Sequence, residues 1–430
     1  NGGAGDGDVA DYSGSAGGVS VDLSDTGAQS IGGGEGYDVL SGIEVLKAGV
    51  HDDTLKGSDG DETILGGSGD DFIFGSLGNA SLNGEGESSE DILSYDDSAF
   101  TSGITVDFAA STVTGSGFTD SFADFERIIG TDHADTAVGS TTNDTFQGGD
   151  GDDVFDGAGG NDEMRGDGGN DTFLASAGDD YLYGGAGTDY LSYKNATAGV
   201  DAYVSDSEAD VAGFGSDVLQ DIEGVIGSDF GDTLTAGTGI SLVQGGDGDD
   251  TIIGGSENAT LSGGAGDDTI NAGSANSTLE GGSGNDSLIG SSGNDLIIGD
   301  SGNDTIDGGS ANDTLDYSAA TSGVTVDLTN ASAQAVGGGM GSDVISNIEV
   351  LVGSDFNDTL TTNGGTLIGG DGDDSLIGGT SSDTIVFSGN VANFSVVSVG
   401  GVYRVIDNVG SGGTDILLSL TIPSALLPIS

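Results

Sequence analysis

The chain has 430 residues, of which 73 are Asp or Glu and 6 are Lys or Arg, so its formal net charge is −67. This balance argues against a nucleic-acid-binding protein, because contacts with phosphate depend on Lys and Arg. There is no cysteine for a disulfide, and no apolar run approaches the roughly 18 to 20 residues of a membrane span, so no transmembrane segment is expected. Since 34% of the residues are apolar and regularly spaced, the self-repelling charge predicts folding that depends on bound cations.

A long repeat occurs four times, and each copy opens on adjacent tyrosine and serine residues. The openings are Tyr12-Ser13, Ser94-Tyr95, Ser192-Tyr193 and Tyr317-Ser318. An alternating apolar strand follows, which in the first copy carries Val19, Val21 and Leu23. We interpret the next stretch of each copy as an imperfect nonapeptide, which ends near Asp38, Asp120, Asp217 or Asp343. A short insert comes next, with Ile43-Glu44, Phe125-Glu126, Ile222-Glu223 or Ile348-Glu349.

Regular nonapeptides fill the rest of each copy, and ten of them run in phase over residues 227–316. Their common pattern is Gly-Gly-x-Gly-x-Asp-x-apolar-x, and residues 245–253 (GGDGDDTII) and 263–271 (GGAGDDTIN) are among the best copies. The glycines favour tight loops, and the last three residues favour a short strand with one inward apolar side chain, such as Ile252 or Ile270. Two nonapeptides should therefore make one turn of a solenoid, with two strands and two loops.

The aspartate at the sixth position of each nonapeptide is the expected metal ligand. Calcium suits the pattern because it takes six to eight hard oxygen ligands, which these carboxylates and the loop carbonyls would supply. Transition metals are disfavoured, since the chain has no Cys and only two distant His residues. Many Ca²⁺ ions are expected at Asp53, Asp71, Asp135, Asp144, Asp153, Asp162, Asp171, Asp180, Asp189, Asp232, Asp250, Asp268, Asp286, Asp295, Asp304, Asp313, Asp358, Asp374 and Asp383.

The phase of the repeat further predicts that successive sixth positions lie on opposite edges of the solenoid. In the third copy one edge carries an unbroken series from Asp232 to Asp304, spaced by eighteen residues. The other edge has Ser241, Ala259 and Ser277 before its first aspartate, so we expect calcium on one edge only in that region. In the second copy both edges carry aspartates, and calcium is expected on both.

From about residue 386 the pattern changes to apolar alternation around a Val-Gly-Gly-Val turn, which predicts two or three antiparallel strands. Such strands would cap the exposed end of the solenoid. The resulting segments are 1–95, 96–193, 194–317 and 318–385, followed by a cap and tail over 386–430. The tail, residues 421–430, is a candidate secretion or anchoring segment, and the chain as a whole is expected to be a fragment of a longer protein.

The nonapeptides resemble those of the repeats-in-toxin (RTX) family, hemolysin-type calcium-binding proteins. The resemblance implies an all-β, right-handed parallel β-roll and export through a type I secretion channel of a Gram-negative bacterium. We expect a secreted, non-catalytic protein of the cell surface, part of a surface layer, fibre or adhesin stalk, with itself or other surface components as partners. The alternative is the carboxyl-terminal secretion and folding module of a larger toxin, protease or lipase. Nothing in the repeats resembles a nucleophile–His–acid set, so no enzyme is expected in them.

Overall fold

The computed structural model is built of strands and turns and has no helix in the residues that it describes. These residues are Gly2, 7–86, 90–211 and 213–386, with the backbone of 394–399, 402–407 and 414–418. Within them, no helix is long and apolar enough to cross a membrane. The chain divides into two compact units, the first Asn1–Ser192 with Asp206–Glu223, and the second Tyr193–Ser205 with Gly224–Ser430. The prediction of an all-β fold is confirmed.

The described strands of the first unit number from β1 to β21, with β23 and β24. Their bounds are β1 Val9–Asp11, β2 Ser20–Asp22, β3 Gln29–Gly32, β4 Gly36–Asp38, β5 Val45–Lys47, β6 Thr54–Lys56, β7 Thr63–Leu65, β8 Phe72–Phe74, β9 Ser81–Asn83, β10 Ile92–Ser94, β11 Thr105–Asp107, β12 Thr112–Gly115, β13 Phe118–Ala123, β14 Arg127–Ile129, β15 Thr136–Val138, β16 Thr145–Asp150, β17 Val154–Asp156, β18 Glu163–Gly168, β19 Thr172–Leu174, β20 Tyr181–Ala186, β21 Tyr190–Ser192, β23 Glu208–Val211 and β24 Gly215–Gln220.

The described strands of the second unit are β22 and those from β25 to β46. Their bounds are β22 Asp201–Ser205, β25 Gly224–Ile226, β26 Thr233–Ala236, β27 Leu242–Asp247, β28 Thr251–Ile253, β29 Thr260–Ala265, β30 Thr269–Asn271, β31 Thr278–Ser283, β32 Ser287–Ile289, β33 Leu296–Ile298, β34 Thr305–Asp307, β35 Thr314–Asp316, β36 Thr325–Asp327, β37 Gln334–Ala335, β38 Ser342–Ser346, β39 Val350–Val352, β40 Thr359–Thr361, β41 Thr366–Ile368, β42 Ser375–Ile377, β43 Thr384–Val386, β44 Phe394–Val399, β45 Val402–Asp407 and β46 Thr414–Leu418.

Regular repeats stack as parallel strands whose partners are eighteen residues apart. Thr251 pairs with Thr269 between β28 and β30, whereas β29 pairs with β31 through Leu261 and Leu279. Consecutive strands therefore lie in different sheets, and two nonapeptides complete one turn. The predicted parallel solenoid is confirmed.

Each turn contributes two apolar side chains to the core, one from the middle residue of each short strand. Ile252, Leu261 and Ile270 have no exposed side-chain surface. In the first unit the rings of Phe155 and Phe173, one turn apart, stack at 4.7 Å between centroids. Because the core is only one side chain wide on each face, each turn depends strongly on what its loops bind.

Antiparallel strands interrupt the stack in the long repeats, where the sequence suggested imperfect nonapeptides. In the first unit, β11, β12 and β13 form an antiparallel meander between β15 and β9, which they meet in parallel. The opposite face has no such insertion, since β10 pairs directly with β14. The hairpins β3–β4 and β23–β24 belong to the same unit. The imperfect nonapeptides of the sequence fall in these stretches, where the chain first reverses and then rejoins the parallel stack, as β13 does beside β9.

The second unit repeats this arrangement in the fourth copy. Strand β38 pairs in parallel with β34 and antiparallel with β37, while β36 pairs in parallel with β40. On the other face β35 pairs directly with β39. Each meander thus widens one face while the other face continues its regular stack.

The predicted antiparallel strands near the carboxyl terminus are present as β44, β45 and β46. Strand β45 pairs antiparallel with both neighbours, and β46 adds in parallel to β42 at the end of one sheet. The pairing covers that edge of the solenoid, as a cap requires. The tail at residues 421–430 lies outside the described residues.

Candidate metal centre: two carboxylate ladders

Asp268 shows how a regular sixth-position aspartate is held. It is 1% exposed, and its Oδ1 accepts a hydrogen bond of 2.7 Å from the backbone N–H of Asp250, one turn earlier. The backbone N–H of Asp268 donates in turn to Oδ1 of Asp286 at 2.8 Å. We call such a column of sixth-position carboxylates a ladder and each member a rung; one oxygen of each regular rung is thus used to join two turns.

The second oxygen of many rungs is buried and accepts no hydrogen bond. This applies to Oδ2 of Asp71, Asp153, Asp162, Asp171, Asp189, Asp250, Asp268, Asp286, Asp295 and Asp313. Burying an anionic oxygen without a partner is costly, so the fold needs a positive charge at these points. We call these rungs open.

Glycine at the first position of the repeat makes room for that oxygen. A Cβ on Gly263 would lie 2.2 Å from Asp268 Oδ2 and 2.7 Å from the carbonyl oxygen of Gly281. A Cβ on Gly148 would lie 1.8 Å from Asp153 Oδ2. The missing side chain therefore leaves carboxylate and carbonyl oxygens facing one small space, which is the hard-oxygen donor set that Ca²⁺ takes.

The open carboxylates have raised pKa values in the absence of a cation. Burial raises the pKa of Asp153 to about 8, and the neighbouring carboxylates of its ladder add to the effect. Burial likewise raises the pKa of Asp162 and of Asp250 to about 7. The backbone N–H bond to each carboxylate offsets only part of this change. A bound divalent ion would favour the charged form and remove the penalty.

The predicted ligands fall on the two edges as their phase requires. In the first unit, Asp53, Asp71, Asp144, Asp162 and Asp180 precede strands of one face, and Asp135, Asp153, Asp171 and Asp189 precede strands of the other. In the second unit the series from Asp232 to Asp304 forms one ladder. Asp295 and Asp313 form a shorter one on the other edge. Asp358 joins Asp374 across sixteen residues, so the period shortens there.

Several predicted ligands are closed, because protein donors reach both of their oxygens. At the start of a block, the N–H of Thr131, Ser228 or Ser354 donates to Oδ2 of Asp135, Asp232 or Asp358. Similar donors reach Oδ2 of Asp53, Asp144, Asp180 and Asp383. The nine-residue phase of the sequence does not tell a closed rung from an open one. A rung is closed where a neighbouring N–H or hydroxyl group donates to its second oxygen.

A comparison with known families agrees with this geometry. The family model described as the RTX calcium-binding nonapeptide repeat (4 copies) matches residues 48–82, 129–164, 165–193, 226–261, 245–279, 253–288, 280–315, 345–366 and 366–389, which together are more than half of the chain. The chain belongs to this family. No curated protein matches it significantly over its sequence. The repeats of this RTX protein are calcium-binding repeats, as their open carboxylates also indicate.

Four glutamates complete the ladders of this RTX protein where an insert shifts the nine-residue phase. The backbone N–H groups of Asp8, Asp91, Asp189 and Asp313 donate to the carboxylates of Glu44, Glu126, Glu223 and Glu349. Glu44, Glu126 and Glu349 each directly precede a parallel strand, which is the place that a sixth-position aspartate has in the regular turns. The sequence shows these glutamates as a recurring apolar–Glu pair, but the pair alone does not indicate that the glutamate joins a ladder.

The rung Asp91 was also missed from the sequence, because it follows Asp71 by twenty residues rather than eighteen.

Tyrosine hydroxyls close three rungs at the meanders. The hydroxyl of Tyr317 donates to Oδ2 of Asp343 at 2.7 Å, and that of Tyr95 donates to Oδ2 of Asp120 at the same distance. Tyr12 makes the equivalent bond to Asp38 at 2.9 Å. Burial raises the pKa of the Tyr95 and Tyr317 hydroxyls well above the ordinary value, so both remain donors. At these rungs the phenol supplies the partner that the open rungs lack.

A second, outer ladder runs beside the first through fifth-position residues. The N–H of Asn285 donates to Oδ1 of Asp267 at 2.7 Å, and the N–H of Asn303 donates to Oδ1 of Asn285 at 3.1 Å. In this ladder the side chain accepts from the following turn, whereas a sixth-position side chain accepts from the preceding turn. The Asn-Asp and Asp-Asp pairs of the repeat therefore join each turn to both of its neighbours.

Proposed function

We propose that this RTX protein is a secreted, non-catalytic structural protein of a Gram-negative bacterial surface that folds on extracellular calcium. Its place would be a surface layer, an extracellular fibre or the stalk of an adhesin. The observation that carries the proposal is the series of buried, unpartnered Oδ2 atoms along the ladders. These atoms make the folded state depend on a cation that is scarce inside cells and abundant outside them.

The charge of the chain supports the same dependence. A net charge of −67 opposes compaction, and each Ca²⁺ bound at an open rung would cancel two negative charges. Binding energy then becomes folding energy, because the unfolded chain has no preformed site. A chain that is unfolded at low calcium can pass through a type I secretion channel and fold after it emerges.

The distribution of acidic side chains supports a structural role rather than a catalytic one. In the described residues the buried aspartates are used in ladders that join successive turns. Their hydrogen bonds link backbone to carboxylate at eighteen-residue intervals over many turns, an arrangement that stabilises stacked turns. Self-association or attachment to other surface components would then assemble the folded chains into a layer or a fibre.

The test is the location and assembly of the native protein. Immunogold electron microscopy of the producing cells should show label on a continuous surface lattice or on filaments. The lattice or filaments should disperse when calcium is removed and form again when calcium is restored. Cells with the gene deleted are the control for labelling. Label found only on a released toxin, protease or lipase that carries this chain would overturn the structural role and leave the alternative of a secretion module.

A further inference from the structure

Asp300 departs from the repeat at a position where the turns before it have glycine. It is the second residue of its nonapeptide, which reads GDSGNDTID over residues 299–307. The equivalent residues of the three preceding turns on this edge are Gly246, Gly264 and Gly282, with φ of +118°, +115° and +104°. Asp300 is not among the residues with positive φ. A residue with a charged side chain thus replaces glycine, and its backbone conformation changes with it.

The side chain of Asp300 lies against the ladder. Its Oδ2 accepts a hydrogen bond of 2.5 Å from the backbone N–H of Gly282, and its Oδ1 is buried without a partner. Asp286, on the neighbouring rung, is 2% exposed and also has an unpartnered Oδ2. Asp286, Asp300 and Asp304 each offer a carboxylate oxygen, and these oxygens lie within 4.8 Å of one another. Among the described residues, this is the one group of three acidic or histidine side chains placed closely enough to hold a single ion.

Asp167 shows that an aspartate at the second position does not create such a group by itself. It occupies the same place in residues 166–174 (GDGGNDTFL), but it keeps the positive φ of a glycine, +69°. Its side chain is exposed, and its Oδ2 accepts a hydrogen bond from Gln147 Nε2. The two aspartates share residue type and repeat position and differ in backbone conformation and burial. They form a matched pair for experiment.

The neighbouring rung defines the place of the group in the fold. Asp304 donates its backbone N–H to Oδ1 of Asp343 at 3.2 Å, and Oδ2 of Asp343 is closed by the hydroxyl of Tyr317. The group is therefore the last of its ladder before the β36–β38 meander. An ion bound there would hold the final regular turn of the third copy against the first strand pair of the fourth.

We propose that Asp286, Asp300 and Asp304 form a three-carboxylate Ca²⁺ site that binds its ion more tightly than the ordinary rungs. Asp300 adds a negative oxygen that the repeat itself does not supply, and calcium affinity rises with the number of charged ligands in a rigid site. The inference rests on the proposed calcium-dependent fold and assigns an order of filling within it. This site fills first as calcium rises, and it orders the junction before the rest of the ladder.

Calcium titration of the full chain, by calorimetry in competition with a chelator, tests the order of filling. The wild-type chain should show one ion bound about tenfold or more tighter than the main class. Asp300→Gly restores the residue of the preceding turns and should abolish the tight phase while the main class remains. Asp300→Asn, which keeps an acceptor for Gly282, should weaken it. The matched control Asp167→Gly should leave it unchanged.

The outcomes separate this inference from the proposed function. A tight phase that persists in Asp300→Gly, or that is lost equally in Asp167→Gly, would overturn the three-carboxylate site while calcium-driven folding stands. If adding calcium to the wild-type chain changed neither its fold nor the heat measured by calorimetry, the proposed function itself would be overturned. Circular dichroism at saturating calcium confirms that each variant folds, so that a lost phase reports the site rather than the fold.

Discussion

The backbone N–H of Asp250 donates to Oδ1 of Asp268 at 2.7 Å, and this bond joins two turns of the solenoid. It leaves Oδ2 of Asp268 buried and without a donor. The same aspartate therefore stabilises the stack through one oxygen and destabilises it through the other. The balance between these effects depends on the cation.

The first glycine of the repeat should not tolerate alanine. In Gly148→Ala the new Cβ would lie 1.8 Å from Asp153 Oδ2, so the carboxylate must move out of its site. We expect a loss of about 1 to 3 kcal/mol in the free energy of unfolding at saturating calcium, measured by urea denaturation. Gly14→Ala is the control, because no atom lies within 4 Å of its Cβ and φ at Gly14 is not positive. Equal stability of the two variants would contradict the packing argument.

The tyrosine that closes the meander rung should be needed even when calcium is present. Tyr317→Phe leaves Oδ2 of Asp343 without its donor in a fully buried position. Removing one partner of a buried hydrogen bond costs about 1 to 3 kcal/mol, which should lower the thermal midpoint in excess calcium. Tyr181→Phe, at a side chain that is 44% exposed, should change little. A midpoint for Tyr317→Phe equal to that of Tyr181→Phe would show that the hydroxyl does not stabilise the rung.

Calcium should be absent from one edge of the solenoid early in the third copy. The sixth positions there are Ser241, Ala259 and Ser277, and none offers a carboxylate. Anomalous diffraction from crystals grown with calcium should show ions beside Asp250 and Asp268 but none beside Ala259 and Ser277. Both edges should be occupied in the second copy.

The variant Ala259→Asp tests whether a sixth-position carboxylate is enough to bind calcium on this edge. It restores the repeat at a position that is 6% exposed, and it should gain a peak that the wild-type protein lacks. Full occupancy beside Ala259 and Ser277 in the wild-type protein would contradict the link between sixth-position carboxylates and calcium.

The calcium-free chain should fold better in mild acid than in mild base. Burial raises the pKa of Asp153 to about 8 and that of Asp71, Asp162, Asp171 and Asp250 to about 7, against about 4 for an unfolded aspartate. Between these values the folded state binds more protons than the unfolded state, so its stability falls as pH rises from about 4 to about 8.

Circular dichroism of the dialysed, metal-free chain measures this pH dependence. The β signal should be stronger at pH 5 than at pH 8. Salt screens the general repulsion but does not protonate buried carboxylates, so 1 M sodium chloride at pH 8, about 3 Å in Debye length, should restore little of the signal. A metal-free spectrum that does not change between the two pH values would contradict the raised pKa values.

The sequence predicts the ladders because a nine-residue phase determines which residues stack. The succession Asp232, Asp250 and Asp268 follows from counting, and backbone-to-carboxylate bonds link these residues as expected. The single inward side chain of each short strand, such as Ile252, follows from the same count. Where the phase is kept, the sequence is sufficient for the fold.

The sequence does not predict what happens where the phase is lost. The hairpin between β12 and β13 turns at residues 116–117, and its glycines read like those of a nonapeptide loop. Glu126 takes its rung although it follows Asp91 by 35 residues rather than 18. The difference between an open rung such as Asp153 and a closed one such as Asp135 depends on whether a nearby N–H reaches Oδ2. Such contacts become visible only in three dimensions.

The central claim is that calcium holds the ladders together, and far-ultraviolet circular dichroism of the full chain with and without EGTA tests it most directly. We predict that chelation abolishes the β signal, that added Ca²⁺ restores it, and that Mg²⁺ at the same concentration does not, because Mg²⁺ demands a stricter octahedral shell. A β spectrum that stays unchanged when calcium is removed at neutral pH would contradict the account.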